Sequence, residues 1–320
     1  MKKATSILLA LIMVLSLTAC SGNSAETTVP VDTTADPVET VESIETTAPV
    51  ETEIPETVAP TVALESSGTL GDYGVEIHDY QLAEDYNGDP VILISYTFTN
   101  NSEESDCAAF CVYVEAFQNG ISLESAYMVE YDGYDVSAES KEIKPGYSID
   151  LMAAFALSDA NAPVEVEVSE LISFSDDVLG KVFYISDQSE IVLSQAPVGD
   201  FLANIGDYVV SIISHEIVDD YEGNPALLLE LGFTNNDDDT TNFATAILLT
   251  AFQDGIEIEN AYLMDSQCGT TQMANVRPGA GHTVFVAFEL DSETAVVELE
   301  FSELISFSDE VTTAEINLSK

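Results

Sequence analysis

The sequence predicts an all-β chain: two tandem immunoglobulin-like antiparallel β-sandwiches placed after a disordered stalk. Three observations carry that prediction. Long strings repeat at one spacing through most of the chain, and within each copy apolar residues alternate with a period of two between Gly-bearing turns. Residues 21–68, by contrast, have a composition that cannot supply a packed core.

The duplication is explicit. Gly71-Asp72-Tyr73 returns as Gly206-Asp207-Tyr208, Asp85–Pro90 as Asp220–Pro225, Phe98–Asn101 as Phe233–Asn236, and Ala116–Gly120 as Ala251–Gly255, all 135 residues apart. After a two-residue deletion the spacing becomes 133: Pro145-Gly146 matches Pro278-Gly279, and Ser169–Asp176 (SELISFSD) recurs unchanged as Ser302–Asp309. Two homologous domains follow, 69–188 and 200–320, each long enough to bury a core of its own.

Within a copy, Phe110, Val112, Val114 and Ala116 alternate with other residues and run into Asn119-Gly120, a strong hairpin signal. Asn87-Gly88 and Glu222-Gly223 mark tight turns before the apolar strands 91–98 and 226–233. Val164, Val166 and Val168 alternate with Glu165 and Glu167, the pattern of a strand with one wet face. About seven strands and no helix are expected per copy, and two packed antiparallel sheets bury such faces. The Cys-Trp-Cys and tyrosine-corner hallmarks of true immunoglobulins are missing, since the chain has no Trp.

The amino terminus reads as an address. Lys2 and Lys3 precede an apolar run from Ile7 to Leu17, too short to span a bilayer and suited to a cleaved signal over 1–19. The run ends in Leu17-Thr18-Ala19-Cys20, which resembles the bacterial lipobox and so implies diacylglycerol on Cys20. Attachment to the membrane is then through a lipid anchor on the extracellular face. Residues 20–68 carry this cysteine and an acidic Thr/Pro-rich linker. Its prolines and like charges extend it, and in polyproline II form it reaches at most on the order of 150 Å, a span that suits a Gram-positive wall.

The GDY, FTNN and AFQ(N/D)G strings of both copies together resemble an uncharacterised immunoglobulin-like family common in lipoproteins of Firmicutes, catalogued as a domain of unknown function. The resemblance covers roughly 71–186 and 206–318. It implies a fold and a habitat, and it carries no catalytic or ligand residues to transfer.

Charge excludes several partners. Acidic residues number 58 against 7 basic, for a net charge of −51. Nucleic acid is excluded because each phosphate contact wants Lys or Arg and no basic patch can be built. Carbohydrate is disfavoured by the absence of Trp. Cys107, Cys111 and Cys268 form an odd set after Cys20, which argues for free thiols over a disulfide framework. His78, His215 and His282 are unshared between the copies, and no nucleophile-elbow, phosphate-loop or zinc motif occurs.

No cofactor is expected. The acidic turns invite a calcium reading with Asp85, Asp89 and Asp220 as ligands, but the glycine falls at the wrong place for a calcium loop and Asx-rich turns look the same without an ion. The polar members of the unchanged string, Glu170 and Asp176 with Glu303 and Asp309, and the recurring tyrosines Tyr86/Tyr221 and Tyr127/Tyr262 are the candidate contact face for a protein partner. The expected function is therefore a non-enzymatic surface lipoprotein whose domains present an interaction face. The alternatives are an envelope enzyme using carboxylates in an inter-domain cleft, or a plain structural spacer.

Overall fold

The computed structural model describes residues 64–127, 131, 133–173, 177–264, 267–306 and 310–319. Cys20 and the stalk up to residue 63 lie outside these residues, as do Asp176 and Asp309.

The first copy places β1 (Ser67–Leu70), β2 (Tyr73–Glu84), β3 (Pro90–Asn100) and β6 (Tyr147–Ala156) in one antiparallel sheet, in that order. Its second sheet orders β5 (Ile121–Ser122), β4 (Val112–Gln118), β7 (Val164–Glu170) and β8 (Val178–Phe183). The second copy repeats the plan. β9 (Phe201–Ile205), β10 (Tyr208–Asp219), β11 (Pro225–Asn235) and β14 (Gly281–Glu289) form one sheet; β13 (Ile256–Ile258), β12 (Ile247–Gln253), β15 (Val297–Glu303) and β16 (Thr312–Ile316) form the other. The two tandem all-β domains of the sequence reading are thus present, with eight strands each among the described residues where about seven were expected.

Alternation sets the inner faces. Ile92, Ile94, Tyr96 and Phe98 of β3 meet Val164, Val166 and Val168 of β7 in one core, and Leu227, Leu229, Leu231 and Phe233 meet Val297, Leu299 and Phe301 in the other. Asn119 and Gly120 take φ of 53° and 83°, and Asp254 and Gly255 take 50° and 76°, the left-handed pair that a two-residue hairpin demands.

The repeated polar strings prove to be structural. Asn100 of FTNN is fully buried; its Nδ2 donates to the Glu104 and Ile143 carbonyls, and its Oδ1 accepts the Ser102 N–H. Asn235 does the same with Asp239, Val276 and Asp237. Gln118 of AFQNG pins the 158–162 turn from inside, and Gln253 pins 292–295. Each amide satisfies loop groups that a sandwich end would otherwise bury unpaired.

Two expectations are corrected. Helices do occur: α1 (Ala108–Cys111), α2 (Phe243–Ala246) and α3 (Cys268–Met273), with a 3-10 turn at Val136–Ser140. They span one or two turns, too short for a 3.6-residue period to show. Phe110 therefore lies on α1 and not on a strand. Cys107 and Cys111 bracket that turn, both buried and both free, and burial pushes the Cys111 thiol up to about 11.

His282 stands at the β14 position that Ile149 fills in the first copy. Its Nε2 is buried without a hydrogen-bond partner, and burial pushes the imidazole down to about 4. The unfolded chain takes up a proton near pH 6.5 that the folded ring refuses, so His282 subtracts stability as pH falls from about 6.5 to about 4. His282→Ile should therefore add about 1–2 kcal/mol at pH 5 over its effect at pH 8, read from urea midpoints. An equal effect at both pH values would remove this role.

Candidate functional site

In the first domain residues 125–127 and 133–140 lie beside the side of the sandwich between β6 and β4. Between them and the sheets lies a cavity of about 220 Å³. Tyr96, Tyr113, Tyr127 and Tyr134 line it, with Glu139 of the 3-10 turn and Met152. Asp135 caps the turn by accepting from the Ser137 N–H, and Lys141 reaches back to the Asp135 carboxylate at 2.8 Å. These contacts hold Asp135 down to about 2 and fix the turn that carries Glu139.

Glu139 accepts the Tyr96 hydroxyl at 3.0 Å. Burial pushes its carboxyl above the usual range and outweighs that hydrogen bond. Tyr134 Oη donates to the Ala126 carbonyl at 3.4 Å, which orders one wall. Aromatic faces around one sequestered carboxylate suit an ammonium or guanidinium group. The second domain lacks this chemistry: α3 packs on β14 as the 3-10 turn packs on β6, Gln272 of α3 donates to the Phe285 carbonyl, and Leu231 replaces Tyr96.

The candidates read from sequence are scattered over several places. Tyr86 and Tyr221 lie in turns and are exposed, and the Tyr221 N–H donates to the Tyr262 carbonyl, which joins two of the candidate tyrosines. Tyr127 is 69 % exposed and belongs to the cavity rim. Glu170 and Glu303 instead lie over the left-handed turn glycines Gly71 and Gly206, where a Cβ would fall 2.4 Å and 1.9 Å from their carboxylate oxygens. The next residues, Leu171-Ile172 and Leu304-Ile305, are exposed in both copies. Asp85 Oδ1 accepts the N–H groups of Asn87 and Asp89, and Asp220 Oδ1 those of Glu222 and Asn224. Among the described residues no cluster of His, Cys, Asp and Glu is arranged for a metal ion.

Sequence reasoning missed the most elaborate contact, the joint between the domains. The wet face expected on β7 is covered in its lower half, because residues 275–277 of the second domain dock there. Arg277 Nη2 lies 2.8 Å from Glu167 Oε1, its Nε lies 3.8 Å from Glu165 Oε2, and its guanidinium carbon sits 4.0 Å from the centroid of the Phe117 ring. Asn275 Nδ2 donates to Glu115 at 2.7 Å. Backbone adds a rung to the β5 edge: the Ser122 N–H donates to the Asn275 carbonyl and the Arg277 N–H to the Gly120 carbonyl, both at 2.8 Å. The Ser194 N–H donates to the Asn119 carbonyl, so the linker is tied in as well. Its Leu193 is buried in the second core. The usable signal was the lone arginine of so acidic a chain.

Removing the guanidinium strands two carboxylates that the second domain has already desolvated. Arg277→Ala should cost about 3 kcal/mol and split one cooperative melt into two. Calorimetry checks it; an unaltered single transition would show the joint to be ornamental.

No match was found among curated proteins. A family described as a domain of unknown function (DUF5067) matches residues 51–170 and 197–303, one segment on each sandwich and together more than half of the chain. The chain belongs to that family, in two tandem copies.

Proposed function

We propose that this chain is a lipid-anchored protein of the bacterial cell surface, of the Firmicutes type, that binds a protein partner without catalysing a reaction. The observation that carries the reading is the tyrosine-lined cavity of the first domain with Glu139 inside it. Such a cavity takes a Lys or Arg side chain presented by the partner. The acidic surface favours the same class by steering cations toward it. Attachment through Cys20 accords with the lipobox, and among the described residues no helix is long and apolar enough to cross a membrane.

Calorimetric titration with short Lys- and Arg-containing peptides tests the binding role. Glu139→Gln should weaken saturable binding about tenfold, although it removes one charge of many. Because Glu139 is raised by burial, its protonation should weaken binding at a pH above the ordinary glutamate range, and this acid-side loss should vanish in Glu139→Gln. Equal affinity in both proteins would remove the cavity from the account.

The anchor has its own test. Cys20→Ala should abolish palmitate labelling and release the chain from the membrane fraction; unchanged labelling would contradict the anchor.

A further inference from the structure

Each half of the joint between the domains has a twin in the other domain that makes no such contact among the described residues. The joint's receiving face in the first domain is built from the Phe117 ring, Glu165, Glu167 and the β5 edge. The duplication places Phe252, Glu298, Glu300 and the β13 edge at the same positions of the second domain. There Glu298 is exposed and Ile256, the twin of Ile121, is 67 % exposed. A Cβ on Gly120 would meet Ala280 and Leu193 at 2.7 Å and 2.8 Å, whereas on Gly255 it would meet nothing within 4 Å.

The inserting loop is duplicated too. Lys144 stands where Arg277 stands, is exposed, and forms no ion pair among the described residues. Ile143 corresponds to Val276. Val276 bridges both Thr241 of its own domain and Ile121 across the joint, while among the described residues Ile143 bridges only Asp106. One rung therefore stands open on each side. Tyr147 replaces the small Ala280 and is 67 % exposed, and the space beside Gly255 is open within the chain.

We propose that the chain associates head to tail with further copies of itself, the Lys144 loop of one copy docking on the Phe252–Glu298–Glu300 face of the next. The chain's own joint is the template for the contact, and the charges are complementary. A heterologous contact of this kind leaves a free face on each added copy, so association runs past the dimer to open arrays or, where the rotation between copies closes, to rings. Lysine brings a point charge where arginine brings a planar fork, so this contact is weaker than the internal joint and reversible. The inference does not rest on the cavity or its ligand.

Sedimentation equilibrium on the chain from Ser21 onward tests it, at about 0.15 M and about 0.01 M salt. The expected result is a mass that rises with concentration, and more so at the higher salt, where long-range repulsion is screened. Lys144→Arg should lower the midpoint concentration several-fold. Lys144→Glu, and separately Glu298→Lys with Glu300→Lys, should each leave monomers, and mixing the two variants should restore association. Glu139→Gln should leave self-association unchanged, which separates this contact from the binding cavity. Circular dichroism melts confirm that each surface variant is folded. Monomers up to about 1 mM in both wild type and Lys144→Arg would overturn the proposal, as would equal association in Lys144→Glu.

Discussion

The guanidinium carbon of Arg277 sits over the Phe117 ring with the Glu165 and Glu167 carboxylates within ion-pair distance, and the arrangement of the two domains follows from that placement. Glu115 and Glu165 are raised by burial, so bringing the domains together works against the ionised acids. Arg277 and the Asn275 amide offset that cost for carboxylates which water can no longer solvate. Guanidinium suits the position because it sets its charge over an aromatic ring while Nη2 donates to Glu167 and Nε stands within ion-pair distance of Glu165. The edge rung on β5 then adds direction, since backbone hydrogen bonds fix the angle at which the loop enters.

The loop that delivers Arg277 is held in turn by the repeated polar motifs. Asn235, from the FTNN string, donates to the Val276 carbonyl, and Asn100 makes the matching bond to Ile143 in the first domain. One buried amide in each copy thus presents the loop that leads into β6 or β14 in a fixed pose. In the second domain that pose serves the joint; in the first it leaves Lys144 outward. The buried amides Asn100, Asn235, Gln118 and Gln253 of the repeated strings are therefore internal scaffolding, while the copies differ both inside and at the surface. The tyrosine-lined cavity is such a difference, since Glu139 and Tyr96 have no like residues in the second domain.

Much of the sandwich was legible because its signals are local. The positive φ of Asn119 and Gly120 follows from their residue types, and the inward turn of Val164, Val166 and Val168 follows from period two. The Asp85 and Asp220 turns likewise fold as Asx turns, as their composition suggested. What escaped was non-local or very short. Four residues on α1 are too few to display a helical period, which is why Phe110 reads as strand. Glu165 and Glu167 read as a wet face because nothing nearby in sequence announces a partner 110 residues away. The cavity was likewise hidden: Tyr96 reads as core, and only the fold brings it to Glu139. Glu170 and Glu303 were read as contact residues from sequence alone, which could not show that each carboxylate lies beside a left-handed turn glycine.

The central claim is that the two sandwiches form one body through Arg277. Backbone ¹⁵N relaxation over residues 64–320 tests it most directly, because the tumbling time of each domain is read separately. The account predicts one common rotational correlation time and one diffusion tensor for both domains at neutral pH. Two distinct, shorter correlation times, one per domain, would contradict it.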